Sequence, residues 1–293
     1  MVSFICNNKY VPVISAAHVV DIEKYYPTIE INSTSPLKIG DTVKMKQDNR
    51  SYDLVVISSV YEKNYYTISL VFKKVFDILK LNLVPASGMF TVSELCNKLG
   101  LQCQKINDVK SYHTVAYTSI FKLLEYLSSS VLIKNGGTAK FFLNTSGEVS
   151  YVDVIERLSN NKQLILASVI EESYDTSWWK IIPGTLLAHY SSSEVFELRK
   201  IVMDPLLPTL RAVLNDTTGT EWETFVQKYK SEFLYKKNTS HRIIAEITGT
   251  VPGIGVHVGI NGSPINGIIS AFRYPIPLNN EVKKTTVKIL CPE

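Results

Sequence analysis

Phe90-Thr-Val-Ser-Glu-Leu-Cys-Asn-Lys-Leu-Gly100, then Ser119-Ile-Phe-Lys-Leu-Leu-Glu-Tyr-Leu127, then Lys140-Phe-Phe-Leu-Asn-Thr-Ser-Gly-Glu-Val-Ser-Tyr-Val-Asp153 form the most distinctive stretch of the chain. Thr91 and Glu94 have the spacing of a capping box, which satisfies two backbone amides at a helix start. Gly100 supplies a left-handed stop. Between them Val92, Leu95, Cys96 and Leu99 share one face, so a helix of about two turns is expected. From Thr118 or Ser119 a second helix is expected, with Ile120, Leu123, Leu124 and Leu127 at the helical period and a serine run at 128–130 as its end. The last segment reads as two strands joined by Asn144-Thr-Ser-Gly147, whose glycine suits the positive φ of a short hairpin loop. The unit is helix, loop, helix, hairpin.

Upstream, residues 10–83 read as strand after strand. Thr28-Ile-Glu-Ile-Asn and Val43-Lys-Met-Lys alternate with period two, as half-buried strands do. Residues 52–60 and 65–72 are rich in β-branched and aromatic side chains. Turn residues fall at 32–36, Gly40-Asp41, Asp48-Asn49 and Lys63-Asn64. Five or more short strands at this spacing point to a small barrel or sandwich. Pro85-Ala-Ser-Gly88 then reads as a linker.

Downstream, strand character returns at 163–170 and 178–190, with 171–177 as a polar turn. A helix capped by Ser193 is expected over Val195, Leu198, Ile201 and Val202, broken by Asp204-Pro205 and Pro208. Thr220-Glu-Trp-Glu223 is another capping box, leading a helix that places Trp222, Phe225, Tyr229 and Phe233 on one face. Strands are expected again at 242–248, 255–260, 265–274 and 282–290. No fixed-period repeat is visible, but the order is coarsely repetitive: β-domain, insert, β-domain with insert. The expected fold class is α+β, mainly β, with two small barrel-like domains. Their expected limits are 1–86 for the first β-barrel domain, 87–155 for the helix-helix-hairpin insertion and 156–293 for the second barrel, interrupted by a helical insertion at about 192–237.

Composition excludes little but narrows the field. With 293 residues, 45% hydrophobic and 20% charged, the chain is ordinary globular protein. Its formal charge of +4 neither demands nor forbids a nucleic-acid partner. Cys6, Cys96, Cys103 and Cys291 are scattered and read as buried thiols of a reducing compartment. The start lacks the basic and apolar regions of a signal peptide, and no apolar run nears the roughly 20 residues that span a bilayer. No stable membrane insertion is expected.

Chemistry-bearing motifs are sparse. Gly253-Ile-Gly255-Val-His-Val-Gly259 resembles a dinucleotide loop, but its third glycine comes one residue late and no helix follows, so a hairpin is the better reading. His18, His113, His189, His241 and His257 lack local ligand pairs, and no metal or cofactor is expected. No G-x-S-x-G elbow appears. Glu171, Glu172 and Asp175 have the residue types of glycan cleavage, although neighbouring acids in a polar turn are usually a solvated tip. The segment at 61–74 interleaves tyrosines with lysines, as a single-strand nucleic-acid platform would. Adjacent Trp178 and Trp179 point to an interface.

Three places carry a family resemblance. Tyr26-Pro-Thr-Ile-Glu-Ile and Leu37-Lys-Ile-Gly40-Asp-Thr-Val-Lys-Met are similar to the opening of baseplate hub proteins of contractile-tailed bacteriophages, the late-control protein D type. Phe90 to Leu101 looks like that family's short helix ending in Gly-Leu. Ser119 to Leu127, with Phe141-Phe-Leu-Asn-Thr-Ser-Gly-Glu-Val, is similar to its next helix and hairpin. Together these cover about the first half of the chain. The resemblance implies a non-enzymatic virion protein, made in the bacterial host cytoplasm. It would be a homotrimer whose two barrels per subunit alternate round a ring. Such a hub joins a sixfold tail tube and other baseplate proteins to a threefold central spike, and leaves a lumen for transient DNA passage. A modest positive charge fits a lumen that must not hold DNA tightly. The alternatives are an OB-like single-stranded nucleic-acid-binding protein and a cell-wall glycan-cleaving tail component.

Overall fold

The computed structural model describes residues 2–106, 108, 110–116, 118–130, 139–175, 183–191, 196–203, 205–214, 220–248, 251–278 and 284–292. Seven strands come first: β1 (Val2–Cys6), β2 (Lys9–Tyr10), β3 (Val13–Asp21), β4 (Thr28–Ser33), β5 (Thr42–Gln47), β6 (Arg50–Glu62) and β7 (Tyr65–Phe72). Next come α1 (Lys73–Leu79), β8 (Ala86–Phe90), α2 (Val92–Lys98), β9 (Ser111–Val115), α3 (Ile120–Ser130), β10 (Ala139–Leu143), β11 (Val149–Asp153) and α4 (Val154–Ser159). Then follow β12 (Gln163–Ile165), β13 (Ala167–Tyr174), β14 (Thr185–Ser191), β15 (Phe196–Val202), β16 (Thr209–Leu214) and a helix at Thr220–Asn238, here α5. The chain closes with β17 (His241–Ile247), β18 (His257–Ile260), β19 (Asn266–Pro275) and β20 (Thr285–Cys291). The fold is α+β and mainly β, as expected.

The middle of the chain folds as its sequence dictates. Thr91 Oγ1 accepts from the Glu94 amide while Glu94 accepts from the Thr91 amide at 2.8 Å, a complete capping box. Gly100 sits at φ +73°, and the Leu101 amide reaches back to the Cys96 carbonyl at 2.9 Å, closing the helix. In the hairpin loop Gly147 takes φ +79°, and the Asn144 side chain accepts from the amides of Ser146 and Glu148. A Cβ on Gly147 would lie 2.5 Å from Ile78 of α1, so the glycine also allows close packing. Leu95, Cys96, Ile120, Leu123, Leu124, Leu127, Phe141 and Leu143 form one core with Val55, Val71 and Val75. The insertion is thus seated on β6 and β7 by apolar burial.

Outside this insertion, and apart from a separate three-stranded sheet of β15-β14-β16, the strands form one 13-stranded sheet, ordered β13-β17-β20-β19-β3-β4-β7-β6-β5-β1-β2, with β18 branching from β19 and β12 pairing with β18. It contains the same ladder twice. In the first unit the order is β3-β4-β7-β6-β5; in the second it is β13-β17-β20-β19-β18. Chain order matches sheet position in both. β6 and β7 shift register at Ile57, and β19 and β20 shift at Ser270. Aligning these bulges places Val55 with Ile268, and there each strand passes from its partner on one side, β5 or β18, to the free or shared edge beyond. Burial repeats too: Ile29, Ile31, Ile68, Leu70 and Val71 correspond to Ile243, Ala245, Val287, Ile289 and Leu290, all buried. Each unit curls round its own core, one about Phe4, Ile31, Leu54 and Leu70, the other about Ile243, Val258, Ile269 and Ile289. The curl comes from a long run that pairs at both ends: residues 9–21 with β1 and β4, residues 163–174 with β18 and β17. Among the described residues neither ladder is a closed sheet: Val11-Pro12 separates β2 from β3, and Leu166 separates β12 from β13.

Several local expectations need correction. The strand run to 83 ends earlier, because Lys73–Leu79 forms α1, with Val75 buried and Lys73 paired with Asp77 one turn on. The supposed linker at 85–88 enters β8, which pairs with β9. Asp153 ends β11 and then caps α4, accepting from the amides of Ile155 and Glu156 at 3.0 and 3.1 Å. Glu171–Tyr174 are not a turn but the continuation of β13. The helix expected from Ser193 does not form at 196–202; that segment is β15, antiparallel to β14, which pairs in parallel with β16. Its Ile201-Val202 end is β-branched, and β pairing outweighs a helical spacing that several alternating sequences also satisfy. Ser193 and Val195 lie outside the described residues, as do Trp178 and Trp179.

Candidate functional site

The feature built from these elements is a pair of strand edges that have no partner strand among the described residues. β13 ends the sheet on one side. Nearly all of it is exposed, including Ile170 (57%) and Tyr174 (61%), and Leu166 just before it is 69% exposed. A strand edge with open N–H and C=O groups and apolar side chains is a template for another strand. On β6, residues 58–62 pair with β7 on one side; among the described residues no strand pairs with the other. Val60 and Tyr61 lie on this stretch, on opposite faces, 50% and 62% exposed, and the Tyr61 ring leans on Tyr66 at 5.1 Å.

The β13 edge carries a small polar device. Glu172 Oε1 accepts from the Tyr174 hydroxyl at 2.9 Å and lies 2.7 Å from His241 Nε2, while the Tyr174 and His241 rings stack flat at 4.3 Å. The hydrogen bond from Tyr174, then that from His241, holds the Glu172 carboxyl below the usual range; the same bond raises the Tyr174 phenol. Behind this edge Arg242 meets Glu23 at 3.5 Å and Asp175 at 3.9 Å, and Lys288 pairs with Glu23. Burial would push Glu23 up, but Lys288 and then Arg242 hold it below its ordinary value. Glu23 follows β3, so this cluster ties the first unit to β17 and β20 of the second.

The sequence-predicted groups separate accordingly. Glu171 and Glu172 are neighbours on a strand and point to opposite faces, so they do not converge on one bond. The 61–74 segment spends Ile68, Leu70 and Val71 on the core and Lys73-Lys74 on α1, which breaks up the expected platform. Gly253 to Gly259 is a turn into β18, with Gly255 at φ +77°, and β18 pairs with β19 as the hairpin reading required. His113 is buried beside the Tyr126 hydroxyl at 2.9 Å, and His257 lies between the Asn160 carbonyl and Asn266. His189 lies within β14. His18 stands at the join of β3 and β19, edge-on to Phe72 and Phe272, and its desolvation lowers its pKa. It borders a cleft of about 300 Å³ with Ile29, Tyr52, Tyr274 and Ile276. Among the described residues no group of three His, Cys, Asp or Glu could hold a metal ion, and no helix is long and apolar enough to cross a membrane. Both strand edges escaped sequence reading; the only signal for β13 was the run Val169-Ile170, which continues apolar character into what looked like a polar turn.

No family model matches the sequence, and no curated protein matches it. Solved structures do, and their fold is that of phage tail proteins. The 43 kDa tail protein of prophage MuSo2 from Shewanella oneidensis superposes with a TM-score of 0.64 at 13% identity, covering 99% of this chain and 98% of that one. A tail protein from Neisseria meningitidis gives 0.61 at 12% identity over 99% and 95%. A prophage tail protein from Listeria monocytogenes gives 0.57 at 10% identity over 98% and 94%. This chain therefore has the tail-protein fold from end to end, in line with the family resemblance of its first half.

Proposed function

We propose that the chain is a structural hub of a phage tail baseplate: a homotrimeric ring that joins a sixfold tail tube to a threefold central spike and leaves a lumen for DNA. The observation that carries this reading is the duplicated ladder. A subunit holding two equivalent units offers six equivalent units per three copies, which matches a sixfold partner on one face while the chain itself repeats only three times. The shared fold with prophage tail proteins supports a place in the tail. In this reading the chain divides at 1–86, 87–155 and 156–293, the two outer parts forming the ring and the insertion decorating it. Its partners are the spike, the tube and other baseplate proteins, and its role is assembly without catalysis in the virion.

The test is a native mass measurement of the purified protein, alone and with a spike protein, together with a low-resolution image. Three copies in a ring with threefold symmetry are expected. A stable monomer that joins neither a tube nor a spike protein refutes the proposal.

A further inference from the structure

The two copies of the ladder differ in which edges are paired. Strand β19 uses one edge twice: residues 266–268 take β18, and residues 271–275 take β3, which joins the two units. Its equivalent, β6, takes β5 with residues 50–55 and then leaves residues 58–62 without a strand on that edge among the described residues. The equivalent of β3 is β13, and its edge away from β17 is likewise without one. We infer that these two edges are complementary: residues 59–62 of one copy add antiparallel to residues 171–174 of a second copy, repeating between subunits the join that β19 and β3 make within one. The inference rests on the ring reading above and supplies its interface.

The internal join dictates the register. Ile57 and Ser270 are the bulged residues of equivalent strands, so Val60 corresponds to Arg273 and Tyr61 to Tyr274. His18 opposes Ile29 and Glu172 opposes Ile243, and those two partners are equivalent, so His18 corresponds to Glu172 and Val19 to Ser173. Within the subunit Tyr274 lies opposite His18 and Arg273 opposite Val19. Between subunits Tyr61 therefore lies opposite Glu172, Val60 opposite Ser173, and Glu62 opposite Glu171. Tyr61 then shares a face with Tyr174, its diagonal neighbour, and two exposed rings cover each other. Because the edges differ, the contact is head to tail, and each copy has one of each to give, as a closed ring needs. The occupant is a second copy because both edges and the template for their register lie in this chain. The opposed Glu62 and Glu171 weaken the contact, a means of keeping free edges from pairing before assembly.

The experiment uses the full chain with Val60→Cys and Ser173→Cys together, each single variant, and an equimolar mixture of the two single variants, all under mild oxidation. Expected are disulfide-linked trimers from the double variant, dimers from the mixture and monomers from either single variant. A second arm replaces Glu62 with Lys, which should lower the protein concentration at half-assembly roughly threefold or more by turning repulsion into attraction, and Glu171→Lys on top should reverse the gain. A trimer by mass that forms no Val60→Cys–Ser173→Cys bridge, or one unmoved by Glu62→Lys, overturns the edge pairing and leaves the hub proposal standing. A monomer under every condition, with spike and tube proteins present, overturns the hub proposal itself.

Discussion

Between β3 and β4 the chain needs only the turn at residues 22–27, whereas between the equivalent β13 and β17 it spends residues 175–240 on β14, β15, β16 and α5. The ladder on either side is the same. The difference teaches that register in this fold is fixed by the strands themselves and by their bulges at Ile57 and Ser270, while the connection at this end is free to grow. Side-chain volume is equally free. Leu54, fully buried in the first unit, corresponds to Gly267 in the second, each opposite a buried valine, Val43 or Val258. At this position the first core is filled by a large side chain and the second by close approach of β20 backbone.

Exchanging those requirements is the strongest way to break the comparison. Leu54→Ala leaves a cavity in the first core and should cost about 2–5 kcal/mol, read as a lowered urea midpoint. Gly267→Ala makes the opposite error: its Cβ would stand 2.3 Å from the Leu290 carbonyl oxygen and 2.8 Å from Cys291 Sγ. Backbone of β20 cannot step aside without loosening β19, so about 1–3 kcal/mol should be lost. If Gly267→Ala were silent while Leu54→Ala unfolded the protein, the two units would not share the packing geometry inferred from their ladders.

A smaller effect tests the insertion. Thr91→Ala removes one half of the capping box and should cost about 1 kcal/mol by the same denaturant measurement. This is the part of the molecule most legible in sequence, because Thr91, Glu94 and Gly100 act within ten residues of one another, and so do Asn144 and Gly147. The alternating strands were legible for the same reason. The duplication was legible only as a coarse order of β-domain, insert, β-domain with insert; its residue correspondence was hidden, because Gly267 stands where Leu54 does and Arg273 where Val60 does. Helices α1 and α4, one or two turns each, carry too few residues to establish a period against flanking strands. The candidate edges were hidden because an edge is defined by partners far along the chain; β17 lies about 70 residues beyond β13, and nothing local to Glu171–Tyr174 announces that only one side of the strand is taken.

The smallest expected effect separates the paired join from the free edge. His18 and Glu172 occupy equivalent ladder positions, yet His18 is pressed between Phe72 and Phe272 inside the join while Glu172 is held at the surface by Tyr174 and His241. Desolvation favours neutral His18 in the fold, so its folded pKa falls below the 6.5 of the free side chain. Below that value the unfolded chain binds more protons than the folded one, and stability rises with pH. The contribution is complete above about pH 6.5 and is lost as pH falls through the lower folded value. Urea midpoints of the wild type should drop between about pH 7 and about pH 5, and His18→Gln should flatten part of that slope. A remainder is expected from His113, whose pKa burial also lowers. An unchanged slope in His18→Gln would mean that the join tolerates a charge, and that the β3–β19 contact is looser than the tightly packed template from which the register between subunits is drawn.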